Sequence, residues 1–334
     1  MLDHAMTRSS ALAGAVALTL LAGPAARAET SWDLPLAWPA GNFHVENAET
    51  FAAKVAEATD GEVVITVHPG GSLGFKGPEM LKAVRDGLVP IGDILLNQQV
   101  GEAPFLGIES VPYLASGYDE IAALHEFSRP VYDEIAEEFN QKILYMVPWP
   151  GQAVYSTREI VTLDDVAGLQ IRVVDKNGLD YMSALGAAPR QLPWGEVVPA
   201  LASGAIGGVT TSSSSGVDGK FWEFLGFMNR FNWQSASNMV NVNLDAWNAL
   251  SPEHQAAIEQ VAAELEPAFW EVSRNEDAAK LKTLADNGVK ITEPTPELRV
   301  QLLETAQPLW QQFIDEAGPD AEEVVGAYRA KAGK

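Results

Sequence analysis

Short β-branched runs take turns with amphipathic stretches along the first third of this chain, and the amphipathic stretches stop at glycine. Trp32 to Trp38 reads as an opening strand, Val45 to Thr59 as a helix ended by Asp60-Gly61, and Glu62 to His68 as a second strand. Pro78 to Asp86 forms the next helix, closed by Gly87, and Val89 to Leu96 the next apolar strand. Such a succession buries its apolar faces when the strands lie side by side and the helices cover them. The pattern therefore predicts an α/β fold built on a largely parallel sheet.

Between Trp149 and Thr157 the rhythm breaks. Pro148, Pro150 and Gly151 punctuate the end of an apolar strand, Ile143 to Val147, and mark a crossover into a second lobe. There the alternation resumes: a short helix opened by Asp164-Asp165 and closed by Gly168, a strand from Leu169 to Val174, and helices over 179–185 and 195–203 closed by Gly186 and Gly204. A strand from Ile206 to Thr211 follows. Ser251-Pro252-Glu253 then supplies a capping hydroxyl, a first-turn proline and an acid at the positive end of a helix dipole. That helix should run to about Ala285, where Asn287-Gly288 stops it. At ~1.5 Å per residue it spans about 50 Å, longer than a small lobe, so it is expected to brace both, with a kink at Pro267.

Composition removes several function classes. The 334 residues, 47% of them hydrophobic, suffice for two compact units. A formal charge of −23 repels phosphate backbones, so nucleic acid is not expected as a partner. The chain has no cysteine, which excludes disulfides, thiolate metal sites and a cysteine nucleophile. Arg8, the apolar run from Ala11 to Leu21 and Ala26-Arg27-Ala28 read as a secretory signal over residues 1–28, cleaved after Ala28 for export to the periplasm; an uncleaved anchor is the other reading. No phosphate-binding loop, zinc-protease motif or calcium loop is present. His44, His68, His125 and His254 stand apart in sequence, so neither a metal nor a cofactor is expected. Acid pairs such as Asp164-Asp165 and Glu137-Glu138 fit a helix start and a solvated helix face.

Arg172 stands out against this background. In the strand from Leu169 to Val174 alternation puts Leu169, Ile171 and Val173 on one face and Gln170, Arg172 and Val174 on the other. Periodicity leaves two readings open. The arginine is either half-exposed and paired with a neighbouring acid, or it presents its planar fork to a ligand carboxylate.

Gly168-Leu-Gln-Ile-Arg-Val173, Leu185-Gly-Ala-Ala-Pro189, Glu196-Val-Val-Pro-Ala-Leu201 and Gly204-Ala-Ile206 occur in the order found in one transport family. So do Phe51 to Val55, Pro69-Gly-Gly-Ser-Leu-Gly74, Glu79 to Gly87 and Leu250-Ser-Pro-Glu-His254. Over nearly all of the expected mature chain the sequence resembles the DctP-type solute-binding subunits of tripartite ATP-independent periplasmic (TRAP) transporters. The resemblance implies a type II-like two-lobed binding protein, with crossing strands and a long kinked helix spanning both lobes. Lobe I would comprise residues 29–150 with about 232–265, and lobe II 151–231 with about 266–334. It further implies closure on a small organic carboxylate that Arg172 fixes, with Trp194 packing over the ligand unless it is an ordinary core tryptophan. The small and large membrane subunits are the implied partners.

Departures from the family pattern narrow the ligand. Where many relatives carry a second arginine this chain has Pro150-Gly-Gln152, leaving Gln152 as a neutral hydrogen-bonder. Gly207-Gly-Val-Thr-Thr-Ser212 replaces an asparagine-bearing segment, so Thr211 or Ser212 would supply a hydroxyl, and the run from Thr210 to Ser215 otherwise reads as a polar linker. Alignment with the family adds Trp38, Phe75 and the segment Leu95 to Gln98, including Asn97. With Trp149, Tyr155 and Trp233 the pocket becomes apolar with one strong anion anchor, which favours a monocarboxylate with an apolar or aromatic body. A C4-dicarboxylate, a sensory module feeding a receptor kinase and a periplasmic hydrolase are the alternatives.

Overall fold

A computed structural model of the protein describes residues 30–334, so the expected signal segment and its cleavage site lie outside the described residues. Strands β1 (Thr30–Pro35) and β2 (Val63–His68) pair in parallel and are joined by helix α1 (Phe43–Ala58). The Asn42 side chain starts that helix by accepting from the His44 N–H at 2.9 Å, and Gly61 follows it at φ +79°, a backbone conformation that costs glycine nothing. Helix α2 (Met80–Arg85) leads to the fully buried strand β3 (Ile91–Leu95), and α3 (Tyr118–Glu138) leads to β4 (Gln141–Pro148).

The chain then crosses over and continues as β5 (Ala153–Ser156), β6 (Gln170–Val173), α4 (Lys176–Ala184), β7 (Ala188–Gln191), α5 (Trp194–Ala202), β8 (Gly208–Thr211), α6 (Ser213–Asp218) and β9 (Phe227–Asn229). A return crossing brings it to β10 (Ser237–Asn243) and the short α7 (Leu244–Asn248). The long α8 (Pro252–Asp286), β11 (Lys290–Thr292), α9 (Pro296–Ala317) and α10 (Pro319–Ala332) complete the fold. Two α/β lobes result. The first holds the β1–β2 pair and a sheet of order β3–β10–β4, the second a sheet of order β11–β9–β5–β8–β6–β7.

The sheets are mixed where a largely parallel arrangement was expected. β10 runs antiparallel to both β3 and β4, and β5 antiparallel to both β8 and β9. The cause is the double crossing. A strand arriving from the other lobe enters the sheet from the end opposite to its helix-connected neighbours, so it lies against them head to tail. The C-terminal share of the lobes also differs from the expected 266–334. Ala321, Val324, Val325 and Tyr328 of α10 are buried in one cluster with Met80, Leu124 and Tyr132, because the apolar face of α10 packs on α3. Helix α8, 35 residues long, does brace both lobes, packing on α1 and β4 and then on α6 and β11. Among the described residues no helix is long and apolar enough to cross a membrane.

Candidate functional site

Arg172 is placed by the register of β6. Its neighbours Ile171 and Val173 face a core with Val154, Tyr181 and Phe231, so alternation turns Arg172 and Val174 the other way, toward the space between the lobes. The guanidinium is buried, with the residue only 2% exposed. Nε donates to the Leu192 carbonyl at 2.9 Å and Nη1 to the Thr210 carbonyl at 3.4 Å. Among the described residues no carboxylate lies within 4.0 Å of it. Burial lowers its pKa to about 10, opposed by the field of Asp175. The site therefore holds a buried, still positive fork whose carbonyl partners position it without neutralising it.

That fork lines an interlobe cavity, shared with Trp38, Leu95, Trp149, Gln152, Val174, Trp194, Thr211, Ser215 and Ala236. Trp38 and Trp149 meet edge to face at 4.8 Å between ring centroids and belong to the first-lobe core. Trp194, at the start of α5, touches both that core and the second-lobe cluster around Tyr155 and Phe221. Gln152 is buried, and its Nε2 donates to the Pro150 carbonyl at 3.1 Å, which leaves its side-chain oxygen as an acceptor. Thr211 ends β8, and Ser215 stands in the first turn of α6. Arg172 is the one charged residue in this lining.

The structure thus gathers Arg172, Gln152, Trp194, Thr211, Trp38, Trp149 and Leu95 around one cavity and places Ser212, Phe75, Trp233, Asn97 and Tyr155 elsewhere. Ser212 is the cap of α6: its hydroxyl accepts from the Ser215 N–H at 3.2 Å, so the serine run starts a helix and is no linker. Phe75 packs against the cluster under α2. Trp233 is fully buried and stacks on Tyr181 at 5.1 Å. Asn97 donates to Asp175 at 2.9 Å, a bond from the end of β3 to the cap of α4 that ties the lobes instead of facing ligand. Tyr155 is buried in the second lobe and donates to the Ser212 carbonyl at 3.0 Å. Of the lining residues not anticipated, Val174 shares the face of Arg172 in the strand alternation, whereas Ser215 and Ala236 carry no distinguishing local pattern.

Further bonds cross between the lobes. Asn42 donates to Asp218 at 2.7 Å, and Lys76 pairs with Glu196 at 3.2 Å. Burial raises the Asp218 pKa to about 6, countered in part by the Asn42 bond. Among the described residues no three His, Asp or Glu side chains gather to hold a metal.

Two α/β lobes exchanging strands, one long helix across both and an arginine in the enclosed space define a substrate-capturing receptor fold. Residues 36–316 match the family described as bacterial extracellular solute-binding protein, family 7, and the chain belongs to that family. Its members are receptors for small organic acids that work with TRAP membrane components. The chain is similar to an extracytoplasmic solute receptor of Bordetella pertussis binding pyroglutamic acid: 32% identity, TM-score 0.87, covering 90% of this chain and 100% of that one. A marine metagenome TRAP solute-binding protein specific for pyroglutamate superposes with TM-score 0.87 at 31% identity, over 90% and 99% of the two chains. The sialic acid-binding periplasmic protein of Vibrio cholerae is 24% identical over 304 residues, 90% of this chain and 94% of its own.

Proposed function

We propose that this protein captures pyroglutamate, or a closely similar small monocarboxylate, between its lobes. The observation that carries the reading is Arg172, a buried cation without an ion-pair partner among the described residues, set in a wall otherwise made of tryptophans and neutral groups. A bound carboxylate would restore the charge balance that burial denies the guanidinium, meeting its exposed edge in the two-pronged geometry that suits arginine. A compact ring would fill the space between Trp38, Trp149 and Trp194. Gln152, Thr211 and Ser215 would meet its polar edge. The relatives at 29–32% identity that bind pyroglutamate support this choice. A C4-dicarboxylate is disfavoured because its second charge would enter the cavity without a cation to meet it.

In this reading the protein performs no chemistry on its ligand. A ligand touching both walls binds the closed form better and shifts the lobes toward it. The filled receptor then passes its load to the small and large TRAP membrane subunits, after export and loss of residues 1–28. Native mass spectrometry of the purified protein, followed by titration calorimetry with pyroglutamate, succinate and pyruvate, tests the assignment. Pyroglutamate should bind far more tightly than succinate. A strong succinate signal with none from pyroglutamate would refute the ligand class.

A further inference from the structure

Behind the aromatic wall of the cavity lies a carboxylate that the capture mechanism has not used. Asp93, in the middle of β3, is 5% exposed, and among the described residues it has no cationic partner. Its Oδ1 accepts from Trp38 Nε1 at 2.9 Å and from Asn238 Nδ2 at 2.5 Å. The other end of that amide, Asn238 Oδ1, accepts from Trp149 Nε1 at 2.7 Å. A continuous chain of donors and acceptors thus runs from one cavity tryptophan to the other, with Asp93 and Asn238 between them. Asp93 is absent from the cavity lining, whereas both indoles belong to it.

An indole has one polar handle, a donor. Packing against each other and, for Trp149, against Phe43 and His44 confines the two rings, and the Asp93–Asn238 relay adds a fixed direction for each N–H. A neutral acceptor would satisfy these donors with less desolvation, and burial indeed pushes the Asp93 pKa to about 7. What a carboxylate adds is the shorter, stronger bond of a charged acceptor.

We propose that Asp93 is the positioning residue of the site's aromatic face: holding Trp38 directly and Trp149 through Asn238, it sets the planes of both indoles and so decides which ligand body fits beside the carboxylate held by Arg172. This rests on the reading of Arg172 as the anion seat. The test compares wild type with Asp93→Leu and Asp93→Asn. Readouts are thermal stability, near-ultraviolet circular dichroism of the tryptophan pair, and calorimetric affinity for pyroglutamate.

Asp93→Leu, folded by far-ultraviolet criteria, should lose the dichroic signature of the coupled indoles and at least tenfold in affinity. Asp93→Asn keeps an acceptor of the same shape and should retain the signature, with affinity within about threefold. In a Trp38→Phe, Trp149→Phe background, Asp93→Leu should cost less than twofold, since nothing is left to position. Equal losses for the Leu and Asn variants, or a Leu effect undiminished in the double-Phe background, would overturn the proposal. If Asp93→Leu fails to fold, Asn238→Ala replaces it in the same comparison, with the Trp149 part of the signature expected to disappear. If wild type does not bind pyroglutamate the ligand assignment falls, while the dichroic comparison still decides the role of Asp93.

Discussion

Replacing Arg172 by methionine separates binding from folding, because the two respond to different parts of its environment. In the empty protein the guanidinium pKa falls from 12.5 to about 10 through burial, an unfavourable charge burial of about 3 kcal/mol at ~1.4 kcal/mol per tenfold. Against this stand the bonds to Leu192 and Thr210, the second of them long at 3.4 Å, together worth about 2–4 kcal/mol. These terms nearly cancel, and methionine fills much of the same volume, so the empty variant should unfold within about 3 °C of wild type. Ligand binding should instead lose about 3–5 kcal/mol, a factor of roughly 10² to 10³ or more, because the anion would be buried without its cation. At a concentration 1,000 times the wild-type Kd, ligand stabilises wild type by about 4 kcal/mol, and the variant by about 1.4 kcal/mol or less. Differential scanning fluorimetry with and without pyroglutamate reads both effects in one experiment. A variant that keeps its ligand-induced rise in Tm would refute the assignment of Arg172.

Arg172→Lys should recover little of that loss, since a single ammonium cannot reproduce the planar fork; affinity within threefold of wild type by calorimetry would show that charge alone suffices. Lys76→Gln removes an exposed cross-lobe pair, and should weaken binding by no more than about fivefold at low salt and not at all at high salt, as exposed pairs are worth at most ~1 kcal/mol. Asp93 titrates at about 7 in the folded chain against an ordinary 3.8, so the folded state binds this proton more tightly. Its contribution to stability is therefore full at acid pH and is lost as pH rises toward 7, and Asp93→Asn should flatten that decline in a Tm profile; unchanged slopes would contradict it. A Cβ at Gly216 would stand 2.3 Å from the Tyr155 hydroxyl, so Gly216→Ala should cost about 1–3 kcal/mol in urea unfolding by forcing Tyr155 off the Ser212 carbonyl.

The elements that local periodicity governs were legible in the sequence. The strand around Arg172, the helix that Ser251 caps and the stops at Gly61 and Gly87 depend on near neighbours, and they stand within a few residues of where the pattern puts them. Strand direction was not legible, because β5 and β10 receive theirs from the lobe they come from, which no local pattern encodes. The polar run at 210–215 misled for a related reason: Ser212 looks like linker chemistry until β8 delivers it to the start of α6. The cavity was partly legible. Alternation points Arg172 and Val174 the same way, and the family pattern places Trp38 and Trp194. Asn97 and Trp233 went astray because each has a stronger long-range partner, Asp175 and Tyr181, to which sequence distance gives no clue. Asp93 left no signal at all, being one acid within an apolar strand.

Helix α8 is fastened where the first crossing begins. Trp270 Nε1 donates to the Met146 carbonyl at 2.9 Å, Ser273 Oγ to the Pro148 carbonyl at 2.5 Å, and the Tyr118 hydroxyl to the Ser273 carbonyl at 2.7 Å. Just upstream Pro267 provides no N–H for the preceding turn, which softens the helix there. Beyond the fastening, Ser213 grips Asp277 at 2.6 Å, and the remaining turns travel with the second lobe. Were the lobes to close by rotation about this fastening, the arm of about 20 Å from Ser273 to Asp286 would move most at its tip, far from the solute.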